Sequence, residues 1–355
     1  MVMKSRKYVV LLTMLLLWGC SIAYGHDFVV TINGQKVFFS IKSSKNRTAE
    51  VTYNGSIADA KPTYYEGDLT VPDKVKHQDV IYTIVGVSAK AFSGADKLTA
   101  VTLPSGIVSI GDFAFEGCTS LRKVIFPGNE VKFGQGVFFK CDKIQDVSLG
   151  SDWKEVDLKM FRWSDSLKVI ALPAKVERVL NFKSLKNLRS VSVDVNNTRF
   201  SSIDGILYNS KNELLGCPRA YEGRVRIAEG TYKVVAGALA DCKGITGIDC
   251  PESLASLSFK ECAYLSKLDE IIFRGDVPMK TAQRNGADVF LLQTANPDVK
   301  IVVPRTAKEN YKTALVQQAG EYTEIGDTIP FLVEQGNMPK VKNIVGVKSF
   351  DKYNK

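Results

Sequence analysis

Residues 110–127 read IGDFAFEGCTSLRKVIFP. Phe115, Cys118 and Leu121 are three residues apart, and the segment ends in the alternating run Val124-x-Phe126-Pro127. Phenylalanines recur every 23 residues at positions 92, 115, 138 and 161. A fixed period of this length is typical of a chain built from internal repeats.

Seven units follow the pattern Phe-x-x-Cys-x-x-Leu-x-x-Val-x-Leu-Pro with conservative exchanges. Their first position holds Phe92, Phe115, Phe138, Phe161, Phe182, Leu239 and Phe259. Apolar residues three apart suit a tight turn with one buried edge, and Val-x-Leu suits a strand with one buried face. One unit cannot bury its apolar edge alone, whereas stacked units share a core. We therefore predict an α/β repeat fold, a solenoid with a stacked β-sheet face over residues 67–304.

The period is interrupted by residues 194–229. Within them, ILYNSKNELLGCP (206–218) has the pattern of two short strands, and the turn signal Asp204-Gly205 precedes it. We interpret this segment as a β-hairpin inserted into the repeats and joined to the same sheet.

The ends of a repeat stack need covering, because open strand edges and apolar surface are otherwise exposed. Alternating segments around Asn-Gly turns predict an N-terminal β cap over residues 26–66. The strand KIVVP (300–304) and the amphipathic segment TAKENYKTALVQQA (306–319) predict a C-terminal strand-helix cap, which extends to residue 335. Residues 336–355 contain few apolar side chains, and we expect a flexible tail.

The first 25 residues have the pattern of a secretory signal peptide, with basic residues before a short apolar run. Two processing sites compete. Ala23-Tyr24-Gly25 favours cleavage before His26, and Leu17-Trp18-Gly19-Cys20 resembles a lipoprotein signal that would attach a lipid at Cys20. No later segment is apolar for long enough to span a bilayer, so we expect an extracellular or outer-surface location without a transmembrane segment.

Charge and residue usage argue against several classes of function. The formal net charge of +9 is spread along the chain, without the basic stripes and interleaved aromatics of nucleic-acid sites. His26 and His77 are the only histidines, and no cysteine or acidic motif has metal-ligand spacing. We expect no catalytic site, no cofactor and no metal, and therefore no enzyme.

Six cysteines follow the leader, an even number in an oxidising compartment. Cys118, Cys141, Cys242 and Cys262 share one repeat position with Ala95 and Ser164, so the position selects for small size. Parallel side chains at equivalent positions are poorly suited to disulfides. We expect buried, reduced thiols, with Cys217 and Cys250, at apparently equivalent strand ends, as the pair most suited to an exception.

The pattern Ile110-Gly111-x-x-Ala114-Phe115-x-x-Cys118-x-x-Leu121-x-x-Val124-x-Phe126-Pro127 resembles the BspA-type leucine-rich repeats of bacterial surface proteins. The fifth and seventh units depart from it, since Leu180-Asn181-Phe182-Lys183 and Leu257-Ser258-Phe259-Lys260 replace the usual core. The resemblance implies a leucine-rich-repeat solenoid that is secreted or surface-displayed and binds host proteins, extracellular matrix or other cells, without catalysis.

The outward positions of the repeat strands are the candidate ligand-binding face. If the residues of each Val-x-Leu strand face inward, their neighbours face outward. Apolar outward residues slightly favour an interface. The candidates are Lys123, Ile125, Asp146, Trp163, Val169, Asp249, Glu270 and Ile272. Three hypotheses remain open: adhesion to a host or bacterial surface protein, carbohydrate capture, and a structural spacer.

Overall fold

The computed structural model describes residues 25–55, 65–128, 130–257, 261–262, 264–278, 282–284, 287–289, 294–314 and 343–353. The leader with Cys20, the repeat position Phe259 and residues 315–342 lie outside the described residues. The chain divides into two compact units, Met1–Cys141 and Asp142–Lys355.

Ten strands lie among the described residues of the first unit. They are β1 (Phe28–Ile32), β2 (Gln35–Ser43), β3 (Thr48–Thr52), β4 (Glu66–Thr70), β5 (Lys74–His77), β6 (Val80–Val87), β7 (Lys97–Thr102), β8 (Ser109–Ile110), β9 (Lys123–Ile125) and β10 (Lys132–Phe133). β1, β2 and β3 pair antiparallel, as the alternating N-terminal segments predict. β3 continues in parallel onto β6, which is followed by β8 and β10, so this region shares one sheet with the repeats.

The repeat strands β4, β7 and β9 pair in parallel. Val101 lies opposite Val124, one 23-residue period apart, and both side chains are buried. The residues on either side of each valine are partly exposed, as alternation along a strand requires.

A column of stacked phenylalanines fills the core beneath the turns. The ring of Phe115 lies between those of Phe92 and Phe138, with centroid separations of 4.7 and 5.3 Å, and all three are fully buried. These separations match the spacing of neighbouring strands, about 4.8 Å, because each repeat contributes one ring per layer. The Phe115 amide donates to Val137 O at 2.9 Å, which ties one turn to the next.

The cysteine of the repeat is a buried filler that also donates a weak hydrogen bond. The Cys118 thiol donates to Phe92 O at 3.1 Å, and the Cys141 thiol donates to Phe115 O at 2.9 Å. Gly111 has a steric role, because a Cβ there would collide with the backbone of Ala89 in the preceding repeat. The small residues therefore permit close stacking of consecutive repeats.

The second unit contains sixteen strands among its described residues. They are β11 (Asp146–Ser148), β12 (Glu155–Asp157), β13 (Val169–Leu172), β14 (Arg178–Leu180), β15 (Ser190–Val193), β16 (Phe200–Ile203), β17 (Ile206–Asn209), β18 (Glu213–Gly216), β19 (Glu222–Arg226), β20 (Lys233–Val234), β21 (Gly244–Cys250), β22 (Glu270–Phe273), β23 (Ala282–Arg284), β24 (Ala287–Val289), β25 (Lys300–Pro304) and β26 (Ile344–Val347). Turns of 3₁₀ type cover Leu158–Phe161, Phe182–Ser184 and Asp351–Tyr353.

The inserted segment forms the predicted hairpin. β16, β17 and β18 are antiparallel, and the turn between the first two carries Asp204 and Gly205, both with positive φ. β18 pairs in parallel with β20 of the following repeat, so the hairpin belongs to a four-stranded sheet that includes this repeat strand. β19, at the end of the insertion, pairs in parallel with the repeat strand β21.

Residues 343–353 correct the expectation of a flexible tail over residues 336–355, whose other residues lie outside the described ranges. β26 pairs in parallel with β25, and Ile344 is buried in the core of this unit. Residues 308–314 are helical, and Tyr311 packs into the same core with its ring stacked on Phe273 at 5.4 Å. The low apolar content of the tail is misleading, because Ile344 still reaches the core through the pairing of β26 with β25.

Candidate functional site

The outward face of the first unit carries Lys123 and Ile125 on β9. Both are partly exposed, and they lie in register with Ala100 and Thr102 of β7. The side chains on this face are therefore mostly short and mixed in polarity.

Val169 on β13 is the most exposed apolar residue of the candidate face, with 51% of its surface accessible. It lies opposite Ser190 of β15, and Ala171 lies opposite Ser192. Serine and alanine are too short to cover the valine. The pair of strands therefore presents a flat, weakly polar surface with an uncovered apolar residue.

Two further candidates are also accessible. Asp146 on β11 is exposed. Trp163 is 40% exposed, and the Arg162 guanidinium lies over its ring, 5.0 Å from the centroid. Trp153, by contrast, is buried. Trp163 therefore has the exposure expected of an aromatic anchor.

The last sheet of the second unit carries a row of charges across its outer side. Arg224, Gly247, Glu270 and Lys300 lie on four neighbouring strands in register. Arg224 Nη2 reaches Glu270 Oε2 at 2.6 Å, and Lys300 Nζ reaches Glu270 Oε1 at 2.7 Å. Gly247 leaves the space for this, because a Cβ there would lie 3.0 Å from Arg224 Cζ.

Glu270 is therefore a shared partner for two cations. Burial disfavours its charged form, but hydrogen bonds from Lys300 and Arg224 outweigh that effect and lower the pKa of Glu270. The candidate residue Glu270 is thus already satisfied within the chain, and its side chain is only 14% exposed.

We predict that Glu270→Gln lowers the free energy of unfolding at pH 7 by about 1–2 kcal/mol, since Arg224 and Lys300 are themselves partly solvated. A carboxyl whose folded pKa is lowered stabilises the fold above its unfolded pKa, and that stabilisation is lost as pH falls through the folded value. The difference between wild type and variant should therefore shrink when urea unfolding is repeated below pH 4. A difference that stays constant with pH would contradict this assignment.

Asp249 and Ile272 do not form an exposed binding face. Asp249 is buried and accepts a bidentate pair from Arg274, at 2.7 and 2.8 Å. Ile272 is fully buried, so its predicted exposure is wrong.

The C-terminal segment contacts neighbours of these two residues. The Arg274 guanidinium lies over the ring of Phe350, 5.1 Å from its centroid, and Lys300 Nζ contacts Tyr353 Oη at 3.4 Å. Val302, the neighbour of Ile272 in β25, lies opposite Val345 of β26. Residues 343–353 thus extend this sheet through β26 and place Phe350 and Tyr353 beside Arg274 and Lys300.

A shallow cavity of about 250 Å³ opens where this segment approaches β19 and β21. Arg226, Glu229, Arg274 and Tyr353 line it. Repeat periodicity could not reveal this cavity, because Tyr353 comes from outside the repeats.

Among the described residues, no group of three or more His, Cys, Asp or Glu side chains is arranged to hold a metal ion. No helix within the described ranges is long and apolar enough to cross a bilayer.

Comparison with known families agrees with the parallel repeat strands. Residues 85–212 match the family described as BspA type leucine rich repeat region, in six copies. That segment therefore belongs to the BspA-type leucine-rich repeats, and the resemblance drawn from the Phe-x-x-Cys pattern is confirmed. No curated protein matches the chain.

Several solved structures are similar to the chain at low sequence identity. A leucine rich cell surface protein from Faecalibacterium prausnitzii A2-165 is 18% identical, with 79% of this chain and 89% of that chain covered and a TM-score of 0.37. The pneumococcal vaccine antigen PcpA is 16% identical, with 92% and 100% covered and a TM-score of 0.41. A leucine rich repeat protein from T. pallidum is 18% identical, with 65% and 87% covered and a TM-score of 0.36.

Proposed function

We propose that the protein is a secreted or cell-surface binding protein, which presents the outward side of its repeat strands to a host or bacterial surface protein. Within each unit, consecutive repeats stack through parallel strands. This supports a repeat arrangement within each unit. The observation that carries the proposal is the exposed Val169 among short side chains on β13 and β15.

The shape and the solvation of this face both favour binding of a partner. A flat surface of small residues allows a partner to approach closely, and an uncovered apolar side chain gains free energy when a partner removes it from water. By contrast, Asp249, Glu270 and Ile272 are occupied by contacts within the chain. The proposed face is therefore centred on Val169 and Ala171 rather than on the last repeats.

We expect the double variant Val169→Asp, Ala171→Glu to weaken binding by about tenfold or more, because it places two charges at the centre of the apolar contact. The assay is attachment of cells and extracellular-matrix proteins to the immobilised mature chain. Val195→Asp is the matched control, since Val195 is 96% exposed and lies in a turn of the same unit. Unchanged binding by the double variant would refute this surface assignment.

Two other outcomes would each favour one of the alternative functions. Saccharide binding on a glycan array that is lost in Trp163→Ala would support carbohydrate capture instead. Cell attachment that survives replacement of every outward residue of β13 and β15 would support a structural spacer.

The pattern of residues 1–25 supports export, and the two processing sites predict different anchoring. Mass spectrometry of the N-terminus of protein from its native cells distinguishes them. A free His26 would indicate a soluble binder, and a lipid-modified Cys20 would indicate a membrane-anchored one.

A further inference from the structure

The cavity beside β19 and β21 is built from separate segments of the second unit. The hairpin turn contributes residues 203–204, and the end of β19 with the turn after it contributes residues 226–229. Asp249 comes from β21, Arg274 follows β22, and Tyr353 belongs to the C-terminal segment. Segments that are far apart in sequence thus converge on one cavity of about 250 Å³.

Hydrogen bonds hold the walls of this cavity in place. The Val191 amide donates to Gly205 O at 3.0 Å, which anchors the hairpin turn. The hydroxyl oxygen of the buried Tyr208 accepts a hydrogen bond from the Ala228 amide at 3.2 Å, which fixes the start of the turn that carries Glu229. Binding of a ligand would therefore require little ordering of the site.

The charges around the cavity alternate in sign and nearly cancel. Arg274 makes two hydrogen bonds to the buried Asp249, at 2.7 and 2.8 Å. Arg226 lies opposite Asp249 in register, and the side chains of Asp204 and Glu229 are exposed. Three carboxylates and two guanidinium groups give the lining one net negative charge. This pattern disfavours a polyanion, such as a nucleic acid or a sulfated glycan, as the ligand.

Carboxylates and guanidinium groups together suit a ligand with many hydroxyl groups. A carboxylate accepts hydrogen bonds and a guanidinium donates them, whereas each hydroxyl does both. The Tyr353 ring, Ile203 and Ala228 add apolar surface, against which the C–H face of a sugar packs. The volume is below the range of about 300–1,000 Å³ for pockets that take drug-sized molecules, so it suits one sugar ring rather than a long chain.

A buried lysine and the cysteines of the same unit are, by contrast, occupied within the chain. The Lys183 ammonium donates to the carbonyl oxygens of Cys217, Ala238 and Ala240, each at 2.9 Å. Cys217 and Cys250, the pair that the sequence favours for a disulfide, are both free thiols. Cys217 follows β18, whereas Cys250 ends β21, and these two strands lie in different sheets. The predicted pairing of these cysteines is therefore wrong.

We propose that the cavity binds one ring of a neutral saccharide, with Asp204 and Glu229 accepting hydrogen bonds from its hydroxyl groups and the Tyr353 ring packed against its apolar face. The ligand is neutral because a further carboxylate would be repelled by Asp204 and Glu229. This site is an addition to the face proposed for β13 and β15, and none of the residues that line it belongs to that face.

Saturation-transfer NMR titrations of the full mature chain test this site. The probes are the methyl glycosides of glucose, galactose and mannose, with glucuronic acid as the charged comparison. At least one neutral glycoside should bind with a Kd of about 1–10 mM, as expected for so small a ligand, and glucuronic acid should bind at least about threefold more weakly. The absence of binding by every neutral glycoside at about 100 mM would overturn the proposal, and tighter binding of glucuronic acid would overturn the assignment of a neutral ligand.

Asp204→Asn tests the carboxylate at the hairpin turn. Asparagine also tolerates the positive φ of 52° at this position, so the turn should be kept. Binding of the glycoside should weaken by about three- to tenfold, because a neutral acceptor replaces a charged one. Asp241→Asn is the matched control, since Asp241 is also an exposed turn aspartate with positive φ but does not line the cavity. Equal affinities of these two variants would contradict the role of Asp204.

Two substitutions of Tyr353 test the aromatic wall. Tyr353→Ala should weaken binding by about tenfold, whereas Tyr353→Phe keeps the ring and should stay within about twofold of wild type. Circular dichroism checks that both variants are folded. Unchanged binding by folded Tyr353→Ala, together with its loss in Trp163→Ala, would place the saccharide outside the cavity and overturn the assignment.

The saccharide site and the proposed protein-binding face can be tested independently. The double variant Val169→Asp, Ala171→Glu should leave the Kd for the glycoside unchanged, because neither residue lines the cavity. A glycoside Kd that rises as much in this double variant as in Asp204→Asn would overturn the assignment of the saccharide to the cavity.

Discussion

Phe115→Ala is expected to lower the free energy of unfolding by about 3–5 kcal/mol, the range for removing a buried phenylalanine ring. Phe115 is fully buried, with the rings of Phe92 and Phe138 stacked on either side. Removing the middle ring leaves a cavity and breaks two aromatic contacts at once. The backbone hydrogen bonds between turns hold the neighbouring repeats in place, so the cavity cannot close by collapse.

Urea unfolding followed by circular dichroism measures this loss. Hydrogen exchange of residues 92–138 locates it, because an amide exchanges faster when the structure around it opens more often. Phe139→Ala is the control, since Phe139 directly follows a ring of the column but is itself partly exposed. A loss below about 1 kcal/mol for Phe115→Ala would mean that the column is not a main source of stability.

Asp249→Ala is expected to lower the free energy of unfolding by about 3 kcal/mol, the second large effect. The substitution leaves the Arg274 guanidinium without its bidentate partner, and an uncompensated charge that is largely removed from water destabilises the fold by about 3–5 kcal/mol. We take the lower end because the Arg274 side chain is still 19% exposed. The contact of Arg274 with Phe350 makes loosening of the C-terminal segment a further expected consequence.

The matched control is Glu222→Gln, which breaks the exposed pair of Arg189 with Glu222 in the same unit. Those side chains are 57% and 69% exposed, so a change of no more than about 0.5 kcal/mol is expected. Urea unfolding gives both values, and limited proteolysis reports on residues 343–353. If the two substitutions lowered the free energy of unfolding equally, the burial of Asp249 would contribute nothing to stability.

The repeat core could be predicted from the sequence because each unit carries its own signal. A three-residue spacing and a period of 23 suffice to place Phe115, Cys118 and Val124 in the core, and all three are fully buried. The hairpin over residues 206–218 could be predicted equally well from the sequence, since its turns depend on neighbouring residues only. Short sequence patterns thus predict the elements whose structure depends mainly on nearby residues.

Contacts between distant segments could not be predicted in the same way. Ile272 has the pattern of an outward residue but is fully buried, and its sheet is extended by β26, a strand from outside the repeats. Leu215-Gly216-Cys217-Pro218 resembles a repeat strand end in sequence, but its sheet is decided by the pairing of β18 with β20. Lys183 did stand out as a departure from the repeat, and the structure gives it three carbonyl partners.

The parallel pairing of β26 with β25 has a consequence for how the chain matures during synthesis. The ribosome delivers residues 344–347 only after all of β25, so until then β25 is an open edge with unpaired backbone groups. During this interval that edge is available to other nascent chains. Chains released prematurely before residue 344 would keep this edge permanently and should be the aggregation-prone products.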